Sequence, residues 1–166
     1  MKILTLVRHA KSSWSDSGLS DRERPLNRRG ERDAPDMGQR IAGHGIRPSQ
    51  IIASPAVRAW STARIIAQEI AYPVEFLQKE DRLYLASLTA LLDTVVAQDD
   101  GFNDLMVVGH NPGLTEFANY LIPGITNNLP TAGVVSVQLD TDTWSLYDKP
   151  DCELLAFDYP KLNRSN

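Results

Sequence analysis

Cysteine is almost missing from this chain: Cys152 is the one thiol in 166 residues. A lone thiol cannot close an internal disulfide, so nothing in the composition calls for an oxidising compartment. Cys152 falls in a β-like run, where a small buried hydrophobe is its expected role. Histidine is scarce too, with three in the chain. Without thiols or close-spaced histidines a zinc cluster is not expected. Long apolar runs are lacking. The segment after Lys2 is too short for a signal peptide, and no stretch reaches the roughly 20 apolar residues of a membrane helix. An excess of positive charge is lacking as well. A net charge of −4 argues against non-specific nucleic-acid binding, which needs a basic footprint. No internal repeat or low-complexity segment is visible. These absences leave a cytoplasmic protein with neither membrane nor nucleic acid as partner. We expect one domain over residues 1–159 and a flexible tail over 160–166.

What is present is alternation of strand and helix. Lys2 to Val7 is an unbroken aliphatic and β-branched run, as in a parallel strand buried on both faces. Lys11 to Leu26 is polar and long for a connection, which in a compact domain suggests a functional loop. Asn27 is placed to cap the next helix, whose apolar positions are Ala34, Met37 and Ile41. Pro35 is expected to kink or restart that helix. Gly43 and Gly45 end it, with His44 read as an exposed loop residue. Ser49 to Ser54 is a second strand. A helix starting near Pro55 presents Ala56, Trp60, Ala63, Ala67 and Ile70 on one face, with Arg58 in its first turn. Val74 to Leu77 reads as a third, weaker strand. Ser87 caps a helix with Leu88, Leu91, Leu92 and Val95 inward. Asp104 to Gly109 is a fourth strand, followed by a helix with Leu114, Phe117, Ala118 and Leu121 inward. Gly133 to Leu139, Trp144 to Tyr147 and Glu153 to Phe157 alternate and are separated by turn residues, which predicts antiparallel pairing. The fold class is α/β: a three-layer α/β/α sandwich with a mainly parallel central sheet and a C-terminal antiparallel extension.

Three strand ends carry polar residues suited to chemistry. The first ends in Arg8-His9, the second runs into the helix bearing Arg58, and the fourth ends in His110. In a parallel sheet these ends share one edge, where open α/β sheets bind ligands. Two guanidiniums and two imidazoles with no acid on those strands suit a dianion. Arginine forks hold phosphate oxygens bidentately and stay charged. A neutral imidazole can attack phosphorus and form a covalent intermediate, while a second, if protonated, stabilises charge on the equatorial oxygens. No metal is needed if two arginines neutralise the charge. The cluster Arg22, Arg24, Arg28, Arg29 and Arg32 reads either as a solvated face or as a rim attracting an anionic substrate. Spacing alone does not decide which histidine is the nucleophile.

The stretches LVRHAKS (6–12), RPLNRRGERDA (24–34), IIASPAVRAWSTA (51–63) and VVGHNPG (107–113) resemble the histidine phosphatase superfamily, in particular its short bacterial phosphohistidine phosphatase branch. The resemblance implies a phosphoglycerate mutase-like fold. It also implies that His9 is the nucleophile and becomes phosphorylated, with Arg8, Arg58 and His110 forming the phosphate pocket, and that no cofactor takes part. Larger members supply a proton to the leaving oxygen from a carboxylate. In the acid-phosphatase branch that carboxylate follows the second histidine, where this chain has Asn111, which is no acid. In the mutase-like branch it comes from a mid-chain loop, where the counterparts here are Glu80 and Asp81. A phosphohistidine needs less help. Protonated on its other ring nitrogen, near a pKa of ~6.5, it leaves as neutral imidazole. The reading is therefore a metal-independent phosphatase acting on phosphohistidine in a phosphorylated protein. The rivals are a phosphatase of small phosphate esters or nucleotides, and a non-catalytic phospho-group binding module.

Overall fold

The computed structural model describes residues 1–162. Its strands are β1 (Lys2–Arg8), β2 (Gln50–Ala53), β3 (Gln78–Lys79), β4 (Asp104–Gly109), β5 (Val134–Leu139) and β6 (Cys152–Asp158). Its helices are α1 (Arg28–Gly43), α2 (Val57–Glu69), α3 (Leu88–Val96) and α4 (Gly113–Leu121). The sheet runs β3-β2-β4-β1-β5-β6. The first four positions are parallel, while β5 and β6 add antiparallel ladders. The expected three-layer α/β fold with its antiparallel extension is what the chain adopts.

Strand alternation sorts the core onto two faces. Leu4, Leu6, Leu105 and Val107 pack with Leu91, Val95, Leu114 and Phe117 of α3 and α4. Val7, Ile51, Met106 and Val108 pack on the other face with Met37 and Ile41 of α1 and Ala63 and Ile66 of α2. The caps were legible: Asn27 accepts a hydrogen bond from the Gly30 amide at 2.9 Å, and Ser87 accepts from the Ala90 amide at 3.2 Å.

Several local expectations are corrected. Helix α1 runs through Pro35 without restarting. Proline forfeits the bond to the Glu31 carbonyl, but Ala34, Met37 and Ile41 are wholly buried along the same face, and that packing outweighs the loss. Val74–Phe76 forms a single 3-10 turn after Pro73, and the strand is Gln78–Lys79, beside Ile52 and Ala53. Trp144 to Tyr147 is not a strand. Trp144 and Leu146 are both buried, so the alternation is real, but the Trp144 amide and indole donate to Asp100 and Phe102 rather than to a ladder. Helix α2 begins at Val57, two residues later than Pro55 suggested. His44 is the exposed turn residue expected; it also caps α1, with its Nε2 3.0 Å from an Asp158 carboxylate oxygen. Cys152 opens β6 half-buried. The expected tail is tied down at its start: Arg40 donates to the carbonyls of Tyr159, Pro160 and Leu162. Its remaining residues, 163–166, lie outside the described residues. Among the described residues no helix is long and apolar enough to cross a membrane.

Candidate active site

Parallel pairing places the polar strand ends together. Arg8 stands level with Gly109, and Ala53 with Val108. The chain then leaves the sheet through His9, Ser54 and His110, with the His9 amide still bonded to the Gly109 carbonyl at 3.0 Å. The His9 and His110 rings face each other, centroids 5.2 Å apart. Arg58 enters from the first turn of α2. It is 2% exposed, although the apolar stripe of that helix suggested a position outside the core. Thr62, one turn on, receives the Ala10 amide at 3.0 Å and donates to the Arg58 carbonyl at 2.8 Å, locking α2 to the segment after His9.

A hydrogen bond sets the tautomer of His9. His9 Nδ1 lies 2.7 Å from the Ala10 carbonyl. A carbonyl only accepts, so Nδ1 carries the proton and Nε2 keeps its lone pair. Burial is the main force lowering the His9 pKa to about 4; the Ala10 bond opposes it, and the charges of Arg58, Arg8 and Arg24 add to it. His110 Nε2 lies 2.7 Å from Ser54 Oγ, which itself accepts the Ala56 amide. The Ser54 hydroxyl can donate to Nε2 or accept from it, so this contact fixes the ring's orientation and not its tautomer. The His110 pKa is held at about 3, chiefly by burial, then by His9, Arg58 and Arg8, against the pull of Asp21. Both rings are neutral at physiological pH.

Three nitrogens in this group are buried without a hydrogen-bond partner: Nε of Arg8, Nε of Arg58 and Nδ1 of His110. The other guanidinium nitrogens are partly used. Arg8 Nη1 donates to the Leu129 carbonyl at 3.0 Å. Arg58 Nη1 and Nη2 donate to the Asp21 carbonyl and carboxylate at 2.6 and 2.9 Å. A buried unsatisfied donor costs about 1–3 kcal/mol, so the arrangement is built to receive acceptor oxygens.

Sequence reasoning missed Asp21 and Tyr84, and read Arg24 only as one member of a basic cluster. Asp21 begins a 3-10 turn, Asp21–Glu23, within the long loop, and that turn is closed by reciprocal bonds between Ser20 and Glu23. Beyond Arg58, Asp21 receives Arg24 Nε at 3.2 Å and the Tyr84 hydroxyl. Burial pushes its carboxyl upward, but bonds from Tyr84, Arg58 and Arg24 and the charge of Arg58 outweigh that and hold it at about 2. The Tyr84 ring meets His110 edge-on at 5.6 Å. Arg24, itself buried, donates to Ser12 and lies 3.4 Å over the exposed Trp14 ring. Nothing in a run of loop polars distinguished Asp21 or Tyr84, because their meeting with Arg24 depends on how the loop folds.

The two mid-chain carboxylates lie beside arginines. Glu80 accepts from Arg82 Nε at 3.3 Å, and the exposed Asp81 lies 3.8 Å from Arg22. Asn111 is a brace: its amide donates to Asn128 and the Leu129 carbonyl, and its oxygen accepts from Thr115.

Comparison with known proteins agrees with this geometry. Residues 4–83 match the histidine phosphatase superfamily, branch 1. An uncharacterised protein of Picosynechococcus is 31% identical over 140 residues, covering 81% of this chain and 84% of that protein. The chain belongs to the histidine phosphatase superfamily. Within it, the crystal structure of SixA from Agrobacterium tumefaciens is 25% identical, with a TM-score of 0.78 over 96% of this chain and 98% of SixA. An uncharacterised chloroplastic protein of Arabidopsis thaliana is 27% identical over 154 residues, covering 85% of this chain and 68% of that protein. A mycobacterial glucosyl-3-phosphoglycerate phosphatase shares the fold, at 12% identity and a TM-score of 0.67 over 93% of this chain and 97% of its own. This histidine phosphatase superfamily member is accordingly a phosphatase.

Proposed function

We propose that this phosphatase removes phosphoryl groups from phosphohistidine in a protein, through a covalent phospho-His9 intermediate and without a metal. The observation that carries the reading is the set of partnerless nitrogens of Arg8, Arg58 and His110 beside the free Nε2 lone pair of His9. His9 Nε2 attacks phosphorus, and the substrate P–N bond breaks with its electron pair passing to the leaving imidazole. Protonation of that ring on its other nitrogen before cleavage lets it depart neutral. Arg8, Arg58 and His110, the last with its ring proton on the partnerless Nδ1, hold the equatorial oxygens in this reading. Water then attacks phospho-His9, releases inorganic phosphate and restores the imidazole. His110 is less suited to attack, since its Nε2 is bonded to Ser54.

The substrate reading rests on proton supply. Glu80 and Asp81 are paired with arginines, Asn111 is no acid, and Asp21 is held ionised. A site with these carboxylates favours P–N over P–O cleavage, because alkoxides need a proton on departure. SixA, to which the chain is similar, carries the assignment phosphohistidine phosphatase. A phosphoprotein partner and a cytoplasmic location belong to the same proposal.

The test is twofold. Labelled phospho-donor should mark wild-type protein and His110→Ala weakly, and leave His9→Ala unmarked. Absence of label from wild type, with anion binding intact, would leave a binding module instead. Turnover of a phosphohistidine protein should exceed that of a panel of sugar phosphates. The reverse order would reassign the substrate to small esters.

A further inference from the structure

Asp21 is a carboxylate at the heart of a site that, on the reading above, binds a dianion. Charge alone makes that arrangement unfavourable, since a negative group beside phosphate repels it. Its contacts show what it gives in return. Arg58 is 2% exposed and sits near Arg8 and Arg24, all three lowering the His9 pKa. Asp21 grips its two terminal nitrogens, one through the main-chain carbonyl and one through the side chain. That grip fixes the plane of the guanidinium, and the edge left over is the buried, partnerless Nε.

Asp21 is itself held. Arg24 Nε and the Tyr84 hydroxyl occupy its carboxylate, and the Ser20–Glu23 box closes the turn that carries it. A plug waiting to be displaced by substrate would be loosely anchored; this one is held by three side chains, those of Arg58, Arg24 and Tyr84. The fold also spends Tyr84 on it, whose ring rests against His110, so one carboxylate braces groups on both sides of the pocket.

We propose that Asp21 is a positioning residue of the phosphatase site: it holds Arg58 with its Nε edge toward the transferring phosphoryl group and supplies the counter-charge that lets the buried arginines coexist. This rests on the phosphate-pocket reading. It makes a prediction opposite in sign to simple electrostatics, because removing the carboxylate should weaken anion binding rather than tighten it.

The experiment is calorimetric titration with tungstate, a tetrahedral dianion, on the full chain. Wild type should bind, and Arg58→Ala should bind at least about tenfold more weakly. If wild type does not bind, the phosphate-pocket reading fails, and the role of Asp21 with it. Given binding, Asp21→Ala should lose about tenfold in affinity, and in the Arg58→Ala background the same substitution should change affinity less than about twofold, because coupled residues are non-additive. Asp21→Glu should restore part of the loss. Unchanged or tighter binding by Asp21→Ala, or an equal loss without Arg58, would overturn the inference while leaving the pocket intact. Should Asp21→Ala fail to fold, Tyr84→Phe removes one of the groups holding Asp21 and keeps the charge. It should weaken tungstate binding in the same direction by a smaller factor, and unaltered affinity there would overturn the proposal.

Discussion

At the scale of single residues, the chemistry of this site is decided by protons. His9 and His110 are kept neutral by burial among guanidiniums, with pKa values of about 4 and about 3. A chain with three histidines makes this easy to test by NMR. Two imidazole signals, identified by their loss in His9→Ala and His110→Ala, should stay in the neutral form as pH falls from 7 through 5. Bound tungstate should raise both titrations, since a dianion favours the imidazolium. A ring of either residue titrating near 6.5 in the free protein would contradict the burial argument. The carboxylates give a second prediction. Glu80→Gln and Asp81→Asn should leave phosphohistidine turnover within about twofold, as expected for arginine-paired groups at the surface. A loss of a hundredfold in either would restore it as the general acid. The four strand-end residues were legible because short, apolar strands end at fixed points and a parallel sheet aligns those ends. Asp21 was not. Its importance comes from three partners distant in sequence, Arg58, Arg24 and Tyr84, which only the folded loop brings together.

At the scale of elements, packing overruled local preference wherever the two disagreed. Pro35 lies inside α1 because a buried apolar face is worth more than one backbone bond. Val74 to Leu77 has strand-like residues, yet Pro73 starts a 3-10 turn and the pairing slips to Gln78–Lys79. Trp144 and Leu146 alternate like a strand because both fill the core, although no neighbouring strand is paired with them. Alternation reports burial, and burial does not require a ladder. The helix next to the second histidine depends on a close approach that the sequence hints at only through its glycine. A Cβ on Gly113 would lie 1.9 Å from the Ala86 carbonyl oxygen, so α4 can begin there only with no side chain. Gly113→Ala should therefore push α4 away from the segment before α3. The expected cost is about 1–3 kcal/mol, in the range of overpacked sites, read by urea denaturation. Because Asn111 and Thr115 tie the same turn to the loop that holds Arg8, turnover should fall as well. A substitution neutral in both would mean that the turn is more pliable than its contacts imply.

For the molecule as a whole, the same burial that prepares the histidines destabilises the fold in acid. An unfolded chain protonates each histidine near pH 6.5, whereas the native state resists until about pH 4 for His9 and about pH 3 for His110. Between these limits the unfolded state binds more protons at these two rings, so their contribution to stability is greatest above 6.5 and falls as the pH is lowered. The slope is about 1.4 kcal/mol per pH unit per histidine, which comes to roughly 2 kcal/mol for each at pH 5. Asp21 does not contribute to this window. Its depressed carboxyl supports the fold above the unfolded carboxylate pKa and fails only in stronger acid. An oxyanion held by Arg8, Arg58 and His110 should relieve the penalty, since it stabilises protonated imidazole in the native state alone. Tungstate should accordingly raise the melting temperature more at pH 5 than at pH 7.5. In His9→Ala/His110→Ala the difference between the two pH values should shrink, both because the acid penalty is gone and because one of the oxyanion's donors is lost. Thermal unfolding at the two pH values, with and without the anion, measures this. A wild-type shift of equal size at both would mean that oxyanion binding and histidine protonation are not linked.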